Sequence, residues 1–207
     1  IINNSNTDIE VYPYRAIKRI NNPKTIGFFI LHEGLISLVD DELLEKSYDN
    51  LSEDCTKSLQ SLKKSFCDKN STNGGWLGFT DKYWMSALIP DKNQSIRVEH
   101  RHNNKGRDNY STGYIGQKFN INKNQNLTYD GKLFVGAKKL DILSDYDENL
   151  LIPRFTDAID WGWFSFLTKP VSYSINWFYD KVKNFGIAII AFTILMRLIL
   201  FPLAQAS

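Results

Sequence analysis

The most constraining stretch of the sequence lies near its end. Residues 185–203 read Phe-Gly-Ile-Ala-Ile-Ile-Ala-Phe-Thr-Ile-Leu-Met-Arg-Leu-Ile-Leu-Phe-Pro-Leu, with one charge, Arg197. A helix that crosses a bilayer core needs about 20 predominantly apolar residues, so this run predicts a spanning helix. Twelve steps of about 1.5 Å put Arg197 about 18 Å from Phe185. That is a little past the middle of a core about 30 Å thick. A cation at that depth costs roughly 3 kcal/mol on insertion scales, and is tolerated where it faces a wet or polar cavity or finds a partner. Thr193 precedes Arg197 by four residues and so shares its face of the helix. Snorkelling, with the stem in lipid and the head at the interface, is strained from this depth. The pair Thr193 and Arg197 is therefore expected to line a polar cavity.

Everything upstream reads as a water-soluble domain. Of 207 residues, 43% are hydrophobic and 23% charged, and the net charge of +2 gives no reason to propose nucleic acid as a partner. The sequence has no initiator Met and no export signal and stops just past the apolar run, as a piece of a longer protein does. Asp8 to Tyr12 alternates like a half-buried strand, and Ile26 to Leu31 and Leu35 to Val39 are short apolar runs suited to strands buried on both faces. Asp40-Asp41-Glu42 reads as a turn. Leu44, Tyr48, Leu51, Cys55, Leu59, Leu62 and Phe66 recur at three or four residues, which predicts a surface helix over 52–66. Two strands are expected around Thr80-Asp81-Lys82, then Ile96 to His100, Tyr114 to Phe119, Asn126 to Tyr129 and Lys132 to Ala137, with a loop over 101–111. Short strands at about ten-residue spacing predict a mainly β sandwich. Ser144 to Pro153, polar and acidic, reads as the exit from it.

Residues 157–183 change character and are dense in aromatic side chains. Thr168 and Pro170 suggest a helix start, with Pro in the first turn. Val171, Ile175, Phe178 and Val182 then share one face. Trp161, Trp163, Trp177 and Tyr179 combine apolar rings with polar handles, as residues of a membrane–water boundary do. An interfacial helix feeding the span is expected.

Candidate chemistry elsewhere is sparse. His100 and His102 share a strand face beside Glu99, but a zinc site needs further ligands and His32 is the only other histidine. Cys55 and Cys67 either remain thiols or, in an exported domain, form a bridge. Neither a phosphate loop nor a catalytic Ser or Cys/His motif is present, and no cofactor is implied.

Several blocks resemble a known family. Gly74 to Trp84 (GGWLGFTDKYW), Ala87 to Pro90, Leu133 to Lys138, Asp160 to Pro170 (DWGWFSFLTKP), Asn184 to Ile190 and Met196 to Leu203 are similar, in order, to the YidC insertases of the Oxa/Alb superfamily. The resemblance covers about residues 26–207 and is most specific from 160 onward. It implies that 1–153 is the C-terminal part of a periplasmic β-supersandwich similar to galactose-mutarotase folds. It implies that 154–184 holds an amphipathic elbow helix and that 185–207 begins the membrane core as the second transmembrane helix. Arg197 and Thr193 then match the arginine and a threonine of a hydrophilic intramembrane groove. The implied activity is non-enzymatic insertion and chaperoning of nascent proteins at the bacterial inner membrane. The implied partners are membrane lipid and, through parts outside this sequence, the Sec translocon and the ribosome. The family's first transmembrane helix, cytoplasmic hairpin and last three transmembrane helices are not in the sequence, which cannot form a groove alone. An anchored carbohydrate-active or carbohydrate-binding domain is the alternative, since the sandwich suits it.

Overall fold

The computed structural model describes residues 1–21, 31–53, 68–71, 75–92, 94–103, 106–162 and 164–205. It divides into two compact units, Ile1–Asp160 and Trp161–Ser207. The apolar run at 26–30, most of the stripe over 52–66, and Cys55 and Cys67 lie outside the described residues.

The first unit is mainly antiparallel β. A five-stranded sheet has the order β11–β7–β6–β3–β4, from Gly131–Ala137 (β11), Trp84–Pro90 (β7), Gly75–Thr80 (β6), Gly34–Val39 (β3) and Glu42–Ser47 (β4). A four-stranded sheet joins Tyr14–Ile20 (β2), Asn109–Gly116 (β9), Ile96–Asn103 (β8) and Asp68–Ser71 (β5) in that order. Ile9–Val11 (β1) pairs with Phe119–Ile121 (β10). β3 turns into β4 through Asp40 and Asp41, both at positive φ (53° and 61°). Two successive left-handed residues give the tight hairpin turn that matches strand twist. The loop expected over 101–111 is shorter than read, because β8 runs to Asn103 and β9 starts at Asn109.

Alternation along the central strands β3 and β6 buries both faces of the five-stranded sheet there, while Leu133, Val135 and Trp84 toward its β11 edge are exposed. Leu35, Leu77, Phe79 and Leu88 point one way, with Ile96, Val98, Tyr110 and Tyr114 of the other sheet in the same apolar clusters. Ile36, Leu38, Trp76, Met85, Ala87 and Phe134 point the other way, and their cluster is closed by Leu143, Ile152, Phe155 and Ala158. Close strand approach leaves no room for a side chain at Gly78, where a Cβ would lie 1.8 Å from the Ser86 carbonyl oxygen.

The covering layer departs from the sequence reading. Leu140–Glu148 is a helix (α2), where a domain exit was expected from residue 144. Its acids face out, while Leu143 is fully buried and Ile142 and Tyr146 pack beside it. A short 3-10 turn, Phe155–Ala158, follows. Phe155 is fully buried and meets Trp76 and Phe134 edge-on, at ring distances of 5.4 and 5.2 Å. The Trp76 indole N–H donates to the Pro153 carbonyl at 3.0 Å. Arg154, at φ 49°, donates to the Asp41 carbonyl and pairs with Asp157. The helical stripe read through Leu44 is divided. Leu44 belongs to β4, and a helix (α1) occupies 48–53, with Tyr48 and Leu51 buried against Leu35, Phe79 and Tyr110.

The histidines serve the fold. His100 is buried, with Nδ1 2.8 Å from Thr112 Oγ1 across the strand pair. His102 stacks on Tyr110 and bonds Asp108 at 3.1 Å. His32 Nε2 lies 2.8 Å from the Leu35 carbonyl, and its backbone N–H donates to Asp160 at 2.8 Å. Among the described residues, no three His, Cys, Asp or Glu side chains are grouped to hold a metal ion.

Phe155→Ala removes the ring that closes the covering layer and is expected to cost about 3–5 kcal/mol of stability. A loss below about 1 kcal/mol in denaturant unfolding of the chain in detergent rules that packing out. Burial lowers the His100 pKa from 6.5 to about 4. Between those values the unfolded state binds the extra proton, so stability falls as the pH drops from about 6.5 to about 4. From pH 7 to pH 5 the parent is expected to lose on the order of 2 kcal/mol more than His100→Gln. Equal losses would show that His100 does not drive the acid sensitivity.

Candidate functional site

The second unit consists of two helices, Ser165–Val182 (α3) and Phe185–Gln205 (α4). α4 is the one described helix long and apolar enough to cross a membrane. Its 21 residues reach about 31 Å at about 1.5 Å each, which matches a bilayer core of about 30 Å. Only Lys183 and Asn184 separate the helices. Lys183 takes a left-handed conformation (φ 51°), and its N–H closes α3 on the Tyr179 carbonyl at 2.6 Å. Asn184 then opens α4. Its side-chain oxygen accepts from Ile187 N–H at 3.2 Å and its carbonyl from Ala188 N–H at 3.0 Å, as an N-cap residue does.

α3 begins earlier than Thr168 and Pro170 suggested. The Phe164 carbonyl already accepts from the N–H groups of Leu167 and Thr168. The Thr168 hydroxyl donates back to the Trp161 carbonyl at 2.9 Å instead of capping a helix. Pro170 consequently sits inside the helix.

At about 100° per residue, α3 carries two apolar faces. Val171, Ile175 and Phe178 are half-buried, and Phe178 shares a cleft with Leu195 of α4. Val182, read with them, is 40% exposed. On the opposite side Phe166, Tyr173 and Trp177 form an exposed stripe, at 75%, 46% and 58% exposure. Sequence reading missed this second stripe, although its spacing of seven and four residues was visible. Of the aromatic residues expected at the interface, Tyr179 packs on Phe185 at 5.6 Å, and Trp161 is half-buried with Lys169 Nζ 5.6 Å above its ring. Trp163 lies outside the described residues.

α4 meets α3 through Ala188, fully buried, and the half-buried Ala191, Phe192 and Met196. Arg197 follows Ala188 by nine residues, about half a turn around the helix axis. Thr193 and Arg197 are both exposed and lie on the side turned away from α3. The Thr193 hydroxyl donates to the Ile189 carbonyl at 2.8 Å, so its proton is committed and its lone pairs face outward. Arg197 forms no hydrogen bond or ion pair with another described residue. Its guanidinium presents up to five donors in a planar fork, a geometry suited to carboxylate.

The first unit carries a cleft of about 230 Å³ among its described residues. It lies where residues 150–153 cross the ends of β7 and β11, and it carries Asp91, Lys92, Asp130 and Lys132 on its rim. Its size is below the range usual for small-molecule sites.

Residues 1–174 match the family described as the YidC periplasmic domain. The whole chain is 39% identical to a protein of Rickettsia prowazekii and 38% identical to one of Rickettsia typhi. A protein of Granulibacter bethesdensis is 36% identical over 99% of the chain. All three are named membrane protein insertase YidC. The chain spans 35–36% of the length of these relatives.

The two faces of α3 yield a prediction. Spin labels at Phe166, Tyr173 and Trp177 are expected to collide with lipid-soluble oxygen, and labels at Ser165 and Ser172, about 80° or more away around the axis, with a water-soluble relaxant. Equal accessibility of both sets in reconstituted vesicles excludes this orientation.

Proposed function

Because the chain belongs to the YidC family, we propose that it supplies the periplasmic domain and one groove-lining helix of a membrane protein insertase in the bacterial inner membrane. The observation that carries this reading is the pair Thr193 and Arg197 on the face of α4 opposite α3. A helix that only anchored a domain would gain nothing from a guanidinium about 18 Å along its length. A helix that lines a wet cavity formed with further helices needs polar groups on one face and apolar groups on the other.

The mechanism is physical rather than covalent, and the protein acts without enzymatic turnover. Moving a hydrophilic segment of a nascent protein into hydrocarbon is costly because its polar groups lose water. A cavity lined by Arg197 and Thr193 keeps water and hydrogen-bond partners within the bilayer and lowers that cost. In a surround of low dielectric the guanidinium attracts a carboxylate more strongly than it would in water. The segment crosses while its apolar helix moves into lipid. The same cavity chaperones substrates that arrive from the Sec translocon or directly from the ribosome. Trp161, Trp163, Trp177 and Tyr179 hold α3 and the start of α4 at the outer boundary.

The test uses full-length protein at matched membrane levels with a Sec-independent substrate. Arg197→Ala is expected to impair insertion of acidic translocated segments by roughly ten-fold or more, as loss of a charge-assisted contact of about 1.5–3 kcal/mol implies, and neutral ones less. Arg197→Lys keeps the charge but loses the fork, and is expected to be intermediate. Undiminished insertion of both substrate types by Arg197→Ala overturns the groove role.

A further inference from the structure

The corner where α3 turns into α4 holds cations and an apolar cleft side by side. The cleft measures about 320 Å³ and is lined by Tyr173, Ser174, Trp177, Phe178 and Leu195, within the usual range for small-ligand sites. The Trp177 ring that lines it also lies beneath Lys181, whose Nζ is 5.8 Å from the ring centre. One residue past α3, Lys183 lies 5.7 Å over the Tyr179 ring. Lys183 is partly neutralised by Asp180 at 3.2 Å, whereas Lys181 pairs with no carboxylate among the described residues. Both lysines are exposed and precede Phe185, the first residue of the spanning helix, by four and two positions.

We propose that this corner is a binding site for an acidic glycerophospholipid, with the headgroup phosphate on Lys181, Lys183 adding positive charge at the same level, and an acyl chain in the cleft. The inference needs α4 to cross the bilayer and does not depend on the insertase reading. A spanning helix that starts at Phe185 puts the preceding turn at headgroup level, where phosphates lie. Lysines near helix ends reach that level with their stems along apolar surface, and the Trp177 and Tyr179 rings supply that surface. The helix dipole accounts for lysines in a last turn, but not for a Trp ring shared between an uncompensated ammonium and an open apolar cleft. A zwitterionic lipid brings its own cation to the site, whereas an acidic one leaves its negative charge for Lys181. Each lysine near an anionic surface adds about five-fold to binding.

The experiment counts lipids retained by the whole chain in detergent by native mass spectrometry, with phosphatidylglycerol and phosphatidylcholine as probes. The parent is expected to retain phosphatidylglycerol in preference. Lys181→Gln is expected to lower that retention about five-fold and Lys183→Gln by less, because Asp180 already offsets it. Ser174→Trp, which fills the cleft and leaves both charges, is expected to lower retention of both lipids. Lys92→Gln with Lys132→Gln, on the first unit, is expected to change nothing. Equal retention of the two lipids by the parent, or retention unaltered in Lys181→Gln, overturns the headgroup assignment. Retention unaltered in Ser174→Trp overturns the acyl-chain assignment. Displacement of phosphatidylglycerol by excess inorganic phosphate shows an anion site that does not need lipid, and overturns the proposal as stated.

Discussion

The five-stranded sheet must be covered on both faces, and the architecture of the first unit follows from that requirement. Its central strands β3 and β6 are buried at odd and even positions alike, so neither face can be left to water there. The four-stranded sheet meets one need. The other is met by α2 and the turn at Phe155, segments with only a few apolar residues each. Leu143, Ile152, Phe155 and Ala158 share one cluster with Trp76 and Phe134, and Phe155 meets both of those rings edge-on. The indole bond to the Pro153 carbonyl fixes where this thin layer lies. The layer also gives Phe155 and Ala158 a place in the core of the unit, only a few residues before Trp161 begins the second.

Whatever depended on strong local pattern was legible in the sequence. The paired runs around Thr80-Asp81-Lys82 became β6 and β7, and Asp40-Asp41 became the hairpin turn. The apolar stretch at the end became α4. What escaped was decided by tertiary partners. In α2 only Leu143 is fully buried among acids, too narrow a stripe to stand out from a loop. Leu44 fitted a helical period but lies in β4, where pairing with Ser37 outweighs local spacing. Thr168 looked like a cap, yet its hydroxyl found the Trp161 carbonyl and the helix started sooner. At the polar face of α4, Thr193 and Arg197 were visible as outliers. Their position opposite α3 could be known only once Ala188 was seen to be buried.

The second unit works by contrast between faces. α3 uses Val171, Ile175 and Phe178 for its neighbour and leaves Phe166, Tyr173 and Trp177 outside. α4 uses small residues, Ala188 and Ala191, where it meets α3, as helices packed in lipid commonly do. That economy frees the far side of α4 for a hydroxyl and a guanidinium. The proposed groove and lipid site thus draw on different sides of the same two-helix unit.

The lysines at the corner bear on topogenesis. Positive charge beside a spanning segment normally holds that flank in the cytoplasm. Lys181 and Lys183 stand just before α4, on the flank that the proposed function gives to the periplasm. On the proposed topology these two charges oppose the orientation of α4. On that topology, translocation of the β unit would outweigh them, since large domains cross largely regardless of charge. The direction of α4 would then come from the domain that precedes it rather than from charge beside the helix.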